Sequence, residues 1–375
     1  MPAIDVIVIG LGAVGSAALH CLALRRRRVV GIEQFTPGHD RGSSHGETRV
    51  IRLGYFEHPS YVPLVRAALP LWRALEAQYR RQLLHVTGVL EIGPPDSTLV
   101  TGTLRASREH SLAHEVLDAR TLMQRFPAFR LPPNFVGVFQ PDGGFLQAEA
   151  AVAAQLALAV AAGAEIRERE RVRAILPRAG SVRVETDAGN LDAGAVVIAA
   201  GPWLPLLVPR LPLRVTRQML AWFAPNEPEK LQPDTCPVFL LESTHGLHYG
   251  FPYNDRSGIK IAKHHHLDQT VDPNHYDRRC SEKDEAAIRA ALTEHLPAAN
   301  GRLLASKSCL YTMAPDGDFI IDHVPGHPDI VVASPCSGHG FKFAPVIGEI
   351  LADLALEGRT SHDISRFRLN RFAPA

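Results

Sequence analysis

Residues 4–33 decide the fold, and they read IDVIVIGLGAVGSAALHCLALRRRRVVGIE. The first six are almost continuously apolar and β-branched, which is typical of a buried parallel strand. Glycines follow at once at positions 10, 12 and 15, and residues 13–24 have the composition of a helix. A second strand-like run, VVGIE, ends in Glu33. Strand, glycine motif, helix and acid occur in the order of a dinucleotide-binding unit.

Each glycine of this motif has a physical role. Gly10 permits a tight turn, Gly12 lets a pyrophosphate approach the backbone, and Gly15 lets the helix pack on the sheet. The helix N-terminus stabilises the phosphate charge, and Glu33, 23 positions after Gly10, is placed to bind a ribose hydroxyl. The motif alone does not choose between NAD and FAD.

Later segments repeat parts of this unit and predict a discontinuous cofactor domain. LDAGAVVIAAGPW (191–203) is a strand that enters a turn at Gly201. DIVVASPCSGHGFKFAPVIGEILADLALEG (329–358) again orders strand, glycine turn and helix, with Pro345 in the first turn and Gly358 as a cap. A second helix N-terminus behind glycines suits the anionic end of a reduced flavin.

The segment RGSSHGETRVIR (41–52) is the first argument for FAD. It places His45, Arg49 and Arg52 at i, i+4 and i+7, on one face if the segment is helical. An NAD enzyme would normally continue here with alternating strands and helices and without such a cationic face.

At these residues the sequence resembles the family of monomeric sarcosine oxidase and N-methyltryptophan oxidase, FAD amine oxidases of the glutathione-reductase-like group. The resemblance covers nearly the whole chain. Its markers are GLGAVGSAAL, GSSHGETRVIR, YGFPY, IKIAKH, CLYTMAPDGDFIID and GHGFKF.

The resemblance implies an α/β protein with two domains. A Rossmann-like FAD-binding domain of glutathione-reductase type is expected at residues 1–85, 148–215 and 322–375. A substrate domain, with a mixed or antiparallel sheet flanked by helices, is expected at residues 86–147 and 216–321.

The resemblance also implies roles for single residues. Cys309 matches the cysteine that bears covalent FAD, and Arg52 and Lys342 match the pair that holds the substrate carboxylate. Lys260 matches the lysine where oxygen is activated. The remaining catalytic positions lie beside the flavin or the amine: His45, Arg49, Tyr249 and His264. The full set of predicted cofactor-binding positions is Gly10, Gly12, Ala13, Val14, Gly15, Glu33, Gln34, Ser44, His45, Thr48, Arg49, Val172, Gly201, Trp203, Cys309, Gly338, Gly340, Phe341 and Lys342.

A predicted β-hairpin supports part of this assignment from the residues alone. GLHYGFPY and GIKIAKHHH are strand-like runs separated by the turn-prone NDRS. Alternation places Lys260 and His264 on one face of the second strand, and Tyr249 on a face of the first. The three side chains converge if both faces point at the cofactor; the register is not fixed by the sequence.

Two other interpretations of single residues stay open. Cys336, in SPCSGHG, is a rival attachment point for the flavin. The run His264–His266 suggests a metal ligand set, but alternation brings only two of the three histidines together and no acidic or cysteine ligand completes the set. We therefore expect no metal.

Composition excludes several classes of protein. The chain has 375 residues and a formal net charge of +1, so no nucleic-acid or membrane partner is indicated. No apolar run reaches the ~20 residues of a membrane span. Five scattered cysteines without CxxC spacing argue against a disulfide framework. We expect a cytoplasmic protein, and the relatives suggest a monomer.

The expected reaction is the oxidation of a secondary amine that carries a carboxylate, with O₂ as acceptor. The imine hydrolyses to an aldehyde and a primary amino acid, and hydrogen peroxide is released. Sarcosine, a bulkier N-alkylglycine, N-methyltryptophan and a cyclic imino acid (pipecolate or proline) remain open as substrates. More distant alternatives are a dehydrogenase that uses an electron carrier, an NAD-dependent oxidoreductase and a non-catalytic dinucleotide-binding subunit.

Overall fold

A computed structural model describes residues 3–372, which form two large sheets and one small sheet. The helices are α1 (Ala13–Leu24), α2 (Val62–Tyr79), α3 (Thr98–Glu109), α4 (Ala119–Arg125), α5 (Ala148–Ala161), α6 (Leu204–Leu207), α7 (Glu282–His295) and α8 (Ala344–Glu357). The strands are β1 (Ile4–Ile9), β2 (Val29–Glu33), β3 (Thr48–Ile51), β4 (Leu84–Val86), β5 (Val89–Gly93), β6 (Glu115–Asp118), β7 (Val136–Gln140), β8 (Gly144–Gln147), β9 (Glu165–Glu168), β10 (Val172–Arg178), β11 (Ser181–Thr186), β12 (Gly189–Ile198), β13 (Arg214–Phe223), β14 (Val238–Ser243), β15 (Gly246–Gly250), β16 (Ile259–Lys263), β17 (Leu303–Met313), β18 (Ile320–Val324) and β19 (His327–Ser334). Short 3-10 helices cover Pro59–Tyr61, Gly201–Trp203, Pro228–Leu231, Pro297–Ala299, Phe341–Phe343, Ser365–Phe367 and Leu369–Phe372.

The first large sheet has β1 at its centre. Its parallel strands run in the order β19–β12–β1–β2–β9, with β18 antiparallel at the edge and the hairpin β10–β11 joined to the first half of β12. Val6 and Val8 pack in one core with residues of α1, α5 and α8, whereas Ile7 and Ile9 pack in another with residues of the hairpin. Both faces of β1 are covered, which explains its continuous apolar sequence.

The local elements expected around the glycine motif are confirmed. β1, α1 and β2 occupy residues 4–9, 13–24 and 29–33, as the sequence predicts. The last predicted helix is α8, with Pro345 in its first turn and Gly358 as a left-handed cap at φ 71°. Only glycine adopts that backbone conformation without steric cost, so the cap ends the helix cleanly.

The second large sheet is mixed, with the order β17–β13–β16–β15–β14–β5–β7–β6. Only the β14–β5 pair is parallel among its described ladders. Met219, Ala221 and Phe223 of β13 pack in an apolar core with α4 and α7. The alternate residues of β13, Leu220 and Trp222, belong to the opposite face. That opposite face carries the polar residues of the site.

The third sheet, β3–β8–β4, corrects one expectation. Residues 48–51 are a strand paired with β8, so His45, Arg49 and Arg52 do not share a helical face. Gly46 and Glu47 both have positive φ, at 90° and 69°, and two such residues in succession break a helix. The predicted two-sheet α/β class is confirmed. The domain limits stay a prediction, and their outermost residues, 1–2 and 373–375, lie outside the described residues.

Candidate active site

A long cavity lies between the glycine motif of the first sheet and the polar face of the second. It brings together most of the predicted residues from distant parts of the chain. These are Gly10, Gly12, Ala13, Val14, Glu33, Gln34, Ser44, Arg49, Arg52, Val172, Gly201, Trp203, Tyr249, His264, Cys309, Gly338, Gly340, Phe341 and Lys342. Gly15, His45, Thr48 and Lys260 are not among the lining residues.

The glycine motif has the close backbone contacts that its sequence predicts. Gly10 has φ 87°, and a Cβ there would lie 2.7 Å from the carbonyl oxygen of Ala199. A Cβ at Gly15 would lie only 1.7 Å from the carbonyl oxygen of Gly10. Gly15 is therefore needed for packing of the helix on the strand, which explains why it does not line the cavity.

Glu33 stabilises the same turn from the end of β2. Its carboxylate accepts hydrogen bonds from the backbone N–H groups of Leu11 (2.9 Å) and Phe35 (3.0 Å). Ser44 Oγ accepts a hydrogen bond from Ala13 N at 3.0 Å. The loop is thus held in place by side chains from two other segments of the chain.

An aromatic group lines the end of the cavity near Glu33. Trp203 packs edge-on against Phe35, with ring centroids 5.3 Å apart, and its Nε1 donates to Asn274 at 2.8 Å. Val172 and Gln34 line the same end. Trp203 lines this end of the cavity and is held by these contacts, and its role in cofactor binding stays a prediction.

The hairpin prediction for the second sheet is confirmed. β15 and β16 pair antiparallel with Tyr249 opposite Ala262, which puts Tyr249 on the same face as Lys260. Tyr249 packs in one cluster with Ala262, Cys309, Leu220 and Trp222. The register that the sequence left open is therefore the one that points Tyr249 and Cys309 at the cavity.

Cys309 lies on β17 at the cavity wall and is only 3% exposed. Its Sγ is 3.8 Å from Nη2 of Arg49. The guanidinium of Arg49 is fixed by the carbonyl oxygens of Ser43 and Thr48, each at 2.8 Å. Cys336 also lines the cavity, but burial raises the pKa of its thiol. Of the two thiols at the cavity wall, Cys309 contacts the guanidinium of Arg49, and Cys336 contacts the hydroxyl of Ser43.

His45 is buried beside this group, and neither ring nitrogen has a hydrogen-bond partner. Burial, with a smaller contribution from Arg49, lowers its pKa to about 3. The imidazole is therefore neutral at pH 7 and does not add the positive charge expected of it. Arg49 supplies that charge at the cavity.

Lys260 is 3% exposed and lies just behind the lining residues. Its Nζ donates to the carbonyl oxygens of Gly46 (2.6 Å) and Thr48 (2.7 Å) and is 4.6 Å from the ring centroid of Phe251. Burial, followed by repulsion from Arg49, lowers its pKa well below the ordinary value. Its position ties the strand that carries Arg49 to the second sheet.

At the opposite end of the cavity, Arg52 binds carboxylate groups. Its Nη2 donates to both oxygens of Glu57, at 2.6 and 2.8 Å, and its Nη1 lies 3.6 Å from Glu91 Oε1. Burial raises the pKa of Glu57, but the charge of Arg52 outweighs it and the net pKa is about 2. The guanidinium also lies over the rings of Tyr55 and Phe56, at 4.3 and 4.5 Å from their centroids.

Lys342 joins this cationic end from the glycine turn before α8. Its Nζ donates to the carbonyl oxygen of His339 at 2.7 Å. Burial, and then repulsion by Arg52, lowers its pKa to about 7. The hydroxyl of Tyr55 contacts the same carbonyl at 3.0 Å and the Nδ1 of His339 at 2.6 Å. Because His339 Nε2 faces the carbonyl oxygen of Gly317 at 3.1 Å, that nitrogen carries the proton and Nδ1 accepts from Tyr55.

His264 lies between the two ends, and its Nδ1 is 3.3 Å from the hydroxyl of Tyr311. Burial lowers the pKa of His264 well below its usual value and raises that of Tyr311. A Cβ at Gly338 would meet His264 at 2.6 Å and Tyr311 at 2.7 Å. The glycine turn therefore sets how closely these two side chains approach the cavity.

Several residues of the site were not predicted from the sequence. Glu57, Tyr311 and His339 line the cavity, and Glu91 lies behind it. His339 could have been found, because it stands inside the quoted GHGFKF. Nothing in the local sequence marks Glu57 or Glu91, because their importance comes from their contact with Arg52.

Two absences complete the description. Within residues 3–372, no group of three or more His, Cys, Asp or Glu side chains could hold a metal ion. Among the helices of that same range, none is both long and apolar enough to cross a bilayer.

Comparison with known proteins identifies the class. Residues 5–354 match the family described as FAD dependent oxidoreductase, and the chain belongs to this family. The choice between NAD and FAD, which the glycine motif left open, is thereby decided in favour of FAD.

Individual relatives cover almost the whole chain. A monomeric sarcosine oxidase of Streptomyces avermitilis is 39% identical over 100% of this chain and 99% of its own length. An N-methyl-L-tryptophan oxidase of Salmonella arizonae is 38% identical over 98% of this chain and 99% of its own length. The solved structure of NikD, an unusual amino acid oxidase essential for nikkomycin biosynthesis, has a TM-score of 0.86 and 30% identity and covers 98% of each chain. The resemblance drawn from the motifs is confirmed.

The residues of the cavity fit FAD. The N-terminus of α1 has no acidic residue in its first turn. Gly12 has no side chain, and a Cβ there would lie 3.1 Å from Ser44 Oγ, so the absence of a side chain keeps the backbone accessible. Backbone N–H groups at such a terminus bind a pyrophosphate. The other end of the cavity carries Arg49 and Lys342, whose charges suit an anionic ring system.

Proposed function

We propose that this chain oxidises N-alkyl amino acids with O₂ and water, giving a primary amino acid, an aldehyde and hydrogen peroxide. The observation that carries the proposal is the buried cationic pair Arg52 and Lys342, of which Arg52 already binds a carboxylate with both oxygens. FAD, when bound, supplies the two-electron redox chemistry. The protein supplies binding, orientation and charge.

Arg52 and Lys342 hold the substrate carboxylate in this proposal. A guanidinium binds a carboxylate through two parallel hydrogen bonds, which fixes orientation as well as position. Arg52 already makes a related contact, in which Nη2 donates to both carboxylate oxygens of Glu57. A carboxylate of the substrate would take up the same kind of contact from the cavity side.

His264, Tyr249 and Tyr311 surround the amine in the same proposal. A secondary amine is protonated in water and must lose a proton before it can be oxidised. His264 is neutral because it is buried, so it can accept or pass on a proton. The phenols of Tyr249 and Tyr311 stay protonated, since burial raises both pKa values.

Positive charge near the cavity favours the reduction of oxygen in this proposal. Arg49 lines the cavity, and Lys260 lies directly behind its strand, where hydrogen bonds to two carbonyl oxygens favour the protonated amine against the effect of burial. Fixed cations stabilise negative charge that develops in a water-poor site, which is the condition for a superoxide-like transition state.

Cys309 is proposed as the residue that attaches FAD covalently. Its support is the thiol at the cavity wall, 3.8 Å from the guanidinium of Arg49. The new bond joins Sγ to the 8α carbon of the flavin. Its formation removes one hydrogen from the thiol and one from the methyl group, and O₂ accepts both electrons and both protons as hydrogen peroxide.

Acid precipitation tests the attachment. The yellow chromophore is expected to stay with the pellet of the wild-type protein and to appear in the supernatant of Cys309→Ser. Cys336→Ser is the matched control and is expected to keep the chromophore in the pellet. Flavin that stays bound in Cys309→Ser but leaves in Cys336→Ser would transfer the role to Cys336.

A peroxide-coupled screen tests the reaction. Sarcosine, N-methyl-L-tryptophan, L-pipecolate and L-proline are offered beside dimethylamine, which has no carboxylate. Peroxide is expected with at least one of the amino acids and not with dimethylamine. Equal rates with dimethylamine would contradict the carboxylate site, and anaerobic bleaching of the flavin without peroxide in air would indicate a dehydrogenase.

We also propose the division into an FAD-binding domain (1–85, 148–215, 322–375) and a substrate domain (86–147, 216–321). The membership of strands in the two large sheets supports this division. A monomer in the cytoplasm is proposed as well: all five cysteines are free, and relatives carry "monomeric" in their names. Gel filtration with light scattering tests the monomer.

A further inference from the structure

Glu91 is a buried carboxyl group that the proposed reaction does not use. It projects from β5 and is 0% exposed. Its Oε2 accepts a hydrogen bond from Gln140 Nε2 at 2.5 Å, and Gln140 Oε1 accepts one from Gly54 N at 2.6 Å. Its Oε1 lies 3.6 Å from Arg52 Nη1 and has no hydrogen-bond partner. Glu91 thus stands directly behind the carboxylate-binding arginine.

The charges of this end of the cavity balance before any substrate binds. Arg52 and Lys342 are the cations, and Glu57 and Glu91 are the carboxyl groups. These are also the charged groups that act on Glu91; its uncharged polar neighbours are Gln140 on β7 and Thr103 on α3. Thr103 Oγ1 is likewise buried without a hydrogen-bond partner.

A substrate carboxylate adds a third negative group to two cations in a site that excludes water. An uncompensated charge in such a place costs several kcal/mol. Glu57 stays ionised near neutral pH, because Arg52 holds its pKa at about 2. His339 is already neutral and has hydrogen-bond partners at both ring nitrogens. Glu91 is the remaining carboxyl group that can remove one negative charge.

We propose that binding of a carboxylate ligand at Arg52 and Lys342 is coupled to the uptake of one proton by Glu91. This inference rests on the proposed carboxylate site. The proton comes from solvent and remains on the glutamic acid while the ligand is bound. Protonation removes the charge of this buried carboxyl group, whose Oε1 otherwise has no hydrogen-bond partner.

The free protein is poised for this exchange. Burial raises the pKa of Glu91 to about 7, even though Arg52 opposes the shift. A negative ligand next to Arg52 raises that pKa further. Carboxylate affinity therefore falls as the pH rises above 7, because deprotonated Glu91 competes with the ligand for the same cations.

Calorimetry of the FAD-loaded protein with isobutyrate, a carboxylate without an amine, measures the proton directly. Titrations at pH 8 in two buffers of different ionisation enthalpy give the number of protons taken up per ligand. Lys342 also titrates near neutral pH, so the measurement is made in wild type and in Lys342→Arg, where residue 342 stays charged. We expect about 0.4 proton per ligand in Lys342→Arg if the ligand raises the pKa of Glu91 from about 7 to about 8. The added change Glu91→Gln is expected to reduce it to about zero.

A pH series separates this role from a structural one. Glu91→Gln should match its parent in isobutyrate affinity at pH 6 and bind about tenfold tighter at pH 9, if the ligand raises the pKa of Glu91 by one unit. A merely structural role predicts weaker binding at every pH. Glu76→Gln is the matched control, because Glu76 accepts hydrogen bonds from Leu83 and Leu84 and does not contact Arg52.

The outcomes distinguish the inference from the proposed function. Isobutyrate binding without proton uptake, or uptake that persists in Glu91→Gln, would overturn the inference and leave the carboxylate site intact. Uptake that persists in Glu91→Gln would assign the proton to Glu57 instead. Failure of isobutyrate to bind at all, or to compete with the amine substrate, would overturn the carboxylate site and the inference with it.

Discussion

The two ends of the cavity bind negative groups by different means. At the glycine motif the protein uses backbone N–H groups, close packing and one helix N-terminus, and Glu33 helps to hold the turn. At the other end it uses side chains, with Arg52 and Lys342 facing Glu57 and Glu91. The first end is built largely from one continuous segment, the second from three.

This difference determines how each end responds to change. Backbone N–H groups do not titrate, so the anion-binding groups of the glycine end do not change their charge with pH. The charged end contains two groups whose pKa lies at about 7, Glu91 and Lys342. Substitutions that add bulk should therefore impair binding at the first end. Substitutions that change charge, or a change of pH, should impair binding at the second end.

The largest effect is expected from Gly15→Ala. The new Cβ would lie 1.7 Å from the carbonyl oxygen of Gly10, and backbone cannot yield cheaply there. We expect no folded, FAD-loaded protein, measured as flavin absorbance per protein after purification. In the control Gly12→Ala the Cβ meets only Ser44, with Oγ at 3.1 Å, so the chain should fold and bind FAD less tightly. Normal flavin content in Gly15→Ala would refute the packing argument.

The next largest effect is expected from Arg52→Gln. It removes the proposed anchor and leaves Glu57 and Glu91 without their common partner. We expect kcat/KM for an N-alkyl amino acid to fall at least ~100-fold. Arg52→Lys keeps the charge but not the planar fork, so its loss should be smaller. A loss equal in both variants would show that the geometry alone matters.

Lys260→Met should affect the two half-reactions, reduction of the flavin by substrate and its reoxidation by O₂, to different extents. The charge behind Arg49 disappears, so reoxidation by O₂ is expected to slow on the order of 100-fold, with a much smaller effect on anaerobic reduction by substrate. Stopped-flow absorbance measures both steps. Equal slowing of the two would assign Lys260 to holding β3 in place through Gly46 and Thr48.

The smallest effect is expected from Tyr55→Phe. The hydroxyl that contacts the carbonyl oxygen and Nδ1 of His339 is lost, while the ring beneath Arg52 remains. We expect the free energy of unfolding to fall by about 1 kcal/mol and KM to rise a few-fold, because His339 also holds Lys342. Denaturant unfolding and steady-state kinetics check the two parts. An unchanged KM would show that the hydroxyl of Tyr55 does not contribute to the carboxylate site at Arg52 and Lys342.

The difference between the two ends of the cavity also explains which features the sequence could predict. β1, α1 and β2 follow from a local pattern, because the strand, the glycine turn and the helix are each set by residues adjacent in the chain. The α8 cap and the β15–β16 hairpin follow from glycine, proline and alternation for the same reason. Charge balance at Arg52 could not be predicted, since Glu91 reaches it from another sheet. The expected helical face at residues 45–52 failed because Gly46 and Glu47 turn the chain into a strand that pairs with β8.

The central place of β1 in its sheet has a consequence for the order in which apolar segments are covered by the rest of the protein during synthesis. β1 is an early segment, yet its neighbour β12 begins at residue 189, and α8, which packs on α1, begins at residue 344. At ordinary rates of synthesis, tens of seconds separate the first strand from the helix that covers its own helix. During that time the most apolar segment of the cofactor domain has no permanent cover. The fold therefore depends on late residues to shield early ones, and loss of α8 would expose a surface created more than three hundred residues before it.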